Sequence, residues 1–137
     1  MPLYLEIVTP EGIVWKSGDV DAVSLPTRSG EVQILPGHIP LVAMLEAGDL
    51  KVFSGGKAQD LAVDKGYVRC MGDVVSVLTE AAIEVEKIDY ESVEAAKRRA
   101  MEALEKAKSA REIDGDEIER LEAVIRFSIV QQLAKRR

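Results

Sequence analysis

The chain has one cysteine, Cys70, and one histidine, His38. A lone thiol excludes an internal disulfide, and one thiol with one imidazole falls short of any ordinary zinc ligand set. Cys70 alternates with Val68 on the apolar side of an expected strand, so it reads as a buried, inert thiol. Aromatic residues make up only 4% of the 137 residues against 47% hydrophobic overall, so the core must be aliphatic. No apolar run reaches the ~18–20 residues that cross a bilayer. Met1-Pro2-Leu3-Tyr4 lacks a signal-peptide pattern. The expectation is a soluble, cytosol-facing protein that meets a membrane only through a partner. Catalytic signatures are missing as well. There is no Gly-x-Ser-x-Gly, no phosphate-binding glycine loop followed by Lys-Ser/Thr, and no second histidine. Glu84 and Glu86 alternate as a solvated strand face does, so they are not read as an acid–base pair. No active site is expected.

What is present divides in two. Residues 1–87 hold 7 Lys/Arg and 13 Asp/Glu, whereas residues 88–137 hold 11 of each. An acidic first part and a neutral, highly charged tail argue against nucleic acid as a partner. Residues 3–86 read as short strands separated by turns: Leu3–Ile7, Ile13–Trp15 (broken at Ser17-Gly18-Asp19) and Val20–Leu25 (ended by Pro26). Further on come Leu41–Leu45, Leu50–Phe53, Leu61–Val63, Tyr67–Met71, Val74–Leu78 and Ile83–Val85. Such spacing, with turns at Ala47-Gly48-Asp49, Ser54-Gly55-Gly56, Lys65-Gly66 and Gly72-Asp73, predicts an antiparallel β-sandwich or flattened barrel. Val74, Val75, Val77 and Leu78 are apolar on both sides of their strand. One side can fill the core; the other needs a cover, from the tail or from a partner.

From Lys87-Ile88-Asp89 onward the period is helical. Asp89 is a good N-cap, and Val93, Ala96, Ala100, Leu104 and Ala107 form one stripe. Ile113-Asp114-Gly115-Asp116 breaks the helix, and Asp116 with Glu119 makes a cap-like pair for the next. Ile118, Leu121, Ile125, Ile129 and Leu133 form its stripe, widened by Val124, Phe127 and Val130. The fold class is therefore α+β: a sandwich over 1–87 and an antiparallel two-helix hairpin over 88–137. The first helix presents mostly alanine, which predicts a close but weakly held seam and a detachable hairpin.

The segment Gly30-Glu31-Val32-Gln33-Ile34-Leu35-Pro36-Gly37-His38-Ile39-Pro40-Leu41 reads as strand, rigid turn, strand. Gly37 supplies the positive φ that a type II turn needs, and each proline drives Leu35 and Ile39 into extended geometry. This loop closely resembles that of the epsilon subunit of F-type ATP synthases, called delta in mitochondria. The resemblance runs on through Leu45, Gly48, Leu50, Gly66, Val74–Leu78 and the two-helix tail. Gln33 departs from it, standing where the family commonly has a second glycine, and should take ordinary strand geometry.

The resemblance implies a non-catalytic rotor subunit in the central stalk of a proton-translocating ATP synthase. Such a subunit lies peripherally on the cytoplasmic side of a bacterial membrane. It would couple the gamma subunit to the c-subunit ring and inhibit ATP hydrolysis when its hairpin opens against the beta and alpha subunits. By the same analogy Glu31 faces the polar loops of the ring and His38 the foot of gamma. His38 can equally be a loop imidazole bonded to nearby backbone. Arg111, Arg120 and Arg126 are candidate contacts to an acidic segment of beta, within a basic series that ends in Lys135, Arg136 and Arg137. Solvated helix cations explain the same residues. Several bacterial members bind ATP through Ile/Leu-Asp-x-x-Arg-Ala. Here Ile88 and Asp89 remain, but Ser92 and Val93 replace Arg-Ala, with Arg99 at a plausible downstream position beside Lys97 and Arg98. Serine cannot imitate a planar cation for phosphate, so weak or absent ATP binding is expected. The alternatives are a free-standing nucleotide-sensing module and, more remotely, a small sandwich enzyme with a helical cap.

Overall fold

A computed structural model describes residues 2–38, 40–110 and 114–136. The strands are β1 (Leu3–Thr9), β2 (Gly12–Val20), β3 (Ala22–Thr27), β4 (Gly30–Ile34) and β5 (Leu41–Leu45), then β6 (Gly48–Ser54), β7 (Lys57–Val63), β8 (Gly66–Met71), β9 (Val74–Thr79) and β10 (Ala82–Glu84). A short 3-10 turn, Val85–Lys87, leads to helices α1 (Tyr90–Ser109) and α2 (Gly115–Arg136).

The strand order is β10-β7-β6-β3-β5-β8-β9-β1-β2, with β4 also paired to β3. β3 and β5 share only Thr27↔Leu45. The sheet folds at that point into two layers, β4-β3-β6-β7-β10 and β5-β8-β9-β1-β2. Alternation fills the space between them: Leu3, Leu5 and Ile7 of β1, Val68 and Cys70 of β8, and Val75 and Val77 of β9 meet Val23, Leu25, Ile34, Leu50, Val52, Leu61 and Val63. The core is aliphatic, as the composition requires; Trp15 only packs against its edge.

Three local readings need correction. The sandwich is antiparallel except for β1 and β9, which pair in parallel from Tyr4↔Val74 to Val8↔Leu78. β2 continues through Ser17-Gly18-Asp19 as one strand, but its ladder with β1 slips there: Leu5 pairs with Ser17 and Leu3 with Val20, so the expected break takes the form of a bulge. Pro26 lies inside β3, where its carbonyl, the ladder group proline retains, accepts from Glu46 N at 2.9 Å.

The 36–37 turn takes the expected form: His38 N donates to Leu35 O at 3.0 Å, and Gly37 has φ +81°. Gln33 sits in β4 opposite Ser24, in ordinary strand pairing. Ile39 lies outside the described residues.

Candidate functional site

Two surfaces and one helical interface carry what this chain can do. The first surface is the outer side of the β5-β8-β9-β1-β2 layer. Registered pairing sets its side chains in rows across the strands. Met44, Tyr67, Leu78, Val8 and Ile13 form one row. Val42, Arg69, Ser76, Glu6 and Lys16 form the next. Met71, Val74 and Tyr4 form a third. Two apolar rows thus flank a row whose centre is polar, with Ser76 Oγ donating to Glu6 Oε1 at 3.3 Å. Val42 is 71% exposed and Tyr67 56%. The cover that the doubly apolar β9 called for is not the tail, because α2 lies on β6, β7 and the 3-10 turn, on the other layer.

The 35–38 loop adjoins this face. Gly37 N donates to Asp73 Oδ1 at 3.3 Å, and Tyr4 N donates to Asp73 O at 2.7 Å. His38, half-buried, therefore borders the row of Met71, Val74 and Tyr4. Glu31 lies at the other end of β4, about 10 Å from Ile34 at the rise of a strand. It is opposite Pro26, and Ser24 Oγ donates to its Oε1 at 2.6 Å. Glu31 and His38 are two separate positions, one at each end of a strand.

The hairpin docks through a cluster distinct from the sandwich core. Leu61 and Val63 point inward, so Ala62 points outward, yet it is fully buried because α2 sits over it. Ala62, Ile88 and Ala134 are the buried members; Ile83, Val85, Val93, Phe127 and Val130 pack around them. The docking side of α2 is thus Phe127, Val130 and Ala134. Ile129 and Leu133 of the sequence stripe stay exposed. α1 presents Val93, Ala96, Ala100, Leu104 and Ala107 to its partner as its period predicts, with only Ala100 fully buried.

A polar clamp joins the helices. Gln132, buried on α2, accepts from Lys97 Nζ at 2.7 Å and donates to Glu94. The bond from Gln132 above all, and next the one from Lys97 Nζ 3.2 Å away, hold the Glu94 carboxyl below its usual range. At the far end Arg136 stands over the Tyr90 ring, 5.5 Å from its centroid, and Lys135 Nζ donates to Val85 O at 3.2 Å.

Asp89 caps α1. Its carboxylate accepts from Glu91 N and Ser92 N at 3.2 and 3.3 Å and from Ser92 Oγ at 2.9 Å. The Ser92 hydroxyl above all holds that carboxyl below its ordinary value. Ser92, which replaces the arginine of the nucleotide motif, thus serves the cap. Arg99 is exposed on α1, about 15 Å along the axis from Asp89. The two are not brought together. At α2 the cap is Asp114, two residues before the expected Asp116 with Glu119: its Oδ1 accepts from Asp116 N at 3.1 Å and Glu117 N at 3.4 Å.

Of the candidate tail cations, Arg111 lies outside the described residues and Arg120 is exposed. Arg126 is engaged. Its Nε donates to Asp64 Oδ1 at 2.8 Å and its second terminal nitrogen to Asp64 Oδ2 at 2.9 Å. Asp64 ends β7's chain segment with a side chain only 2% exposed. Its hydrogen bonds raise the Arg126 pKa further. Sequence reading missed Asp64 and Gln132, because no spacing links partners 62 or 35 residues apart. Among the described residues no group of three His, Cys, Asp or Glu side chains could hold a metal, and no helix is long and apolar enough to cross a membrane.

Comparison with known proteins gives one consistent result. The family model for the beta-sandwich domain of the ATP synthase delta/epsilon chain matches residues 2–85. The ATP synthase epsilon chain of Halalkalibacterium halodurans is 44% identical over 106 residues, which span 77% of this chain and 79% of that one. That of Bacillus velezensis is 38% identical over 125 residues, spanning 91% and 94%. Among solved structures, a chain in the Euglena gracilis mitochondrial ATP synthase OSCP/F1/c-ring assembly in rotational state 1 superposes with a TM-score of 0.66. Its identity is 25%, and the match covers 97% of this chain and 81% of that one.

Proposed function

The chain belongs to the ATP synthase delta/epsilon family, whose members are non-catalytic subunits of that complex, and we propose that its sandwich couples gamma to the c-subunit ring while its hairpin restrains ATP hydrolysis. The observation that carries this reading is the exposed face of the β5-β8-β9-β1-β2 layer. Two apolar rows of that size need a partner, and the chain's own helices lie elsewhere. Gamma docks there on this reading, with His38 at the rim touching its foot. Glu31, at the opposite end of β4, faces the polar loops of the ring. The subunit then sits peripherally, on the cytoplasmic side of a bacterial membrane, in a proton-driven enzyme.

The hairpin is the regulatory part. Its docking cluster is small beside the sandwich core and the seam between its helices is mostly alanine, so the docked and released states differ by about a few kcal/mol. Once released, a rigid pair of helices wedged between gamma and the catalytic subunits blocks the rotation that hydrolysis requires. Arg111, Arg120 and Arg126 are then the contacts to the acidic segment of beta.

The test is association with purified gamma. Tyr67→Asp and Leu78→Asp should each weaken it by roughly 30-fold, the scale of an interface hot spot, while leaving the circular dichroism of the chain unchanged. Undiminished affinity in both folded variants would remove gamma from this face. For nucleotide, the Asp89 carboxylate is occupied by its cap and Arg99 lies far from it, which favours weak or absent ATP binding. A calorimetric titration giving micromolar affinity would reinstate the nucleotide-sensing alternative.

A further inference from the structure

The Arg126–Asp64 pair is the one ion pair joining α1 or α2 to the sandwich among the described residues; the others join two loops of the sandwich, join the 3-10 turn to β10, or lie within α1. Its acceptor is rigid. Asp64 N donates to Ala81 O at 2.9 Å, Asp64 O accepts from Thr79 Oγ1 at 2.7 Å, and the carboxylate also accepts from Lys65 N at 2.8 Å. Its donor stands on α2, whose apolar contact with the sandwich is the small cluster of Phe127, Val130 and Ala134 around Ala62 and Ile88. The fork geometry uses both carboxylate oxygens, so no second anion can share that edge of the guanidinium.

We propose that Asp64 is the closed-state partner of Arg126 and sets the opening equilibrium of the hairpin, so that Arg126 meets an acidic partner only after leaving Asp64. This regulation rests on the braking role above, but the clamp itself acts within the isolated chain. The pair is a bidentate, charge-assisted contact between α2 and the sandwich, and releasing the hairpin breaks both of its hydrogen bonds, so it adds to the closed state beside the apolar contacts. Glu80, on the sandwich, adds to the attraction of Arg126 to this corner, whereas Glu119 lies on α2 itself and travels with it. A lysine at 126 keeps the charge and loses the fork.

Hydrogen exchange on the full chain tests the clamp. In Asp64→Asn and Arg126→Gln, α2 amides should exchange at least about tenfold faster than in the unaltered protein, and β1, β8 and β9 should be unchanged. Arg126→Lys should fall between. Equal protection of α2 in all four proteins would overturn the proposal. Reconstituted ATP synthase supplies the second arm: Asp64→Asn should hydrolyse ATP more slowly, because a freer hairpin brakes more often. Should α2 loosen while hydrolysis stays the same, the clamp stands and the braking role falls.

Discussion

Gly66 carries a constraint that no turn explains. A Cβ there would lie 1.9 Å from Leu78 O and 2.8 Å from Thr79 Cα, both backbone atoms that cannot give way. Its sequence context, Lys65-Gly66, reads as turn punctuation, yet the residue opens β8 and faces Leu45 and Thr79 across two ladders. Gly66→Ala should therefore cost about 3 kcal/mol, seen as a lower denaturant midpoint at unchanged slope. A shift within error would mean that β8 and β9 can separate. Cys70 was legible: alternation with Val68 put it inward, and it is fully buried. Burial first, and the negative Asp73 second, push its thiol up. Labelling by a thiol reagent at neutral pH should wait for unfolding; prompt labelling of the native chain would contradict this placement. Glu31 and His38 were legible as residues, but their separation to opposite ends of β4 needed the register.

At the scale of elements, α1 was readable because one partner lies on one side of it. α2 was not, because it has two apolar sides and the sequence does not say which one docks. Ile129 and Leu133 follow a regular period and remain exposed, while Phe127, Val130 and Ala134 pack on the sandwich. Buried Gln132 explains part of the choice: its bonds to Glu94 and Lys97 orient α2 on α1 and turn Phe127 toward the strands. Acid should undo this arrangement. Asp89 and Glu94 both have folded-state values below their unfolded ones, so their contribution is complete above about pH 4 and is lost as pH falls through the depressed values. Helix content by circular dichroism should be flat from neutrality to about pH 4 and decline below it. Gln132→Ala should move the onset of that decline upward. Loss of helix centred above about pH 5 would show that other groups govern the hairpin.

The whole molecule consists of a large core made of strand residues alone and a small cluster that binds the helices to it. Fold class was readable from alternation, turns and the change of period near residue 87. The partner of β1 was not, since nothing local tells a strand that its neighbour lies some seventy residues on. A chain ending at Lys87 retains every residue of the sandwich core. It should fold, still couple gamma to the ring, and raise ATP hydrolysis of the assembled enzyme. Unchanged hydrolysis, under conditions where the full chain inhibits, would refute the brake.

The parallel seam between the first strand and the ninth also imposes an order on synthesis. Leaving the ribosome, β1 can zip onto β2 at once, but its other edge stays open until Val74–Leu78 has been made. Long-range closure of that kind folds slowly. No nascent fragment that stops short of β9 can offer the five-strand platform, so a half-translated copy cannot compete with a finished one for a place in the assembly.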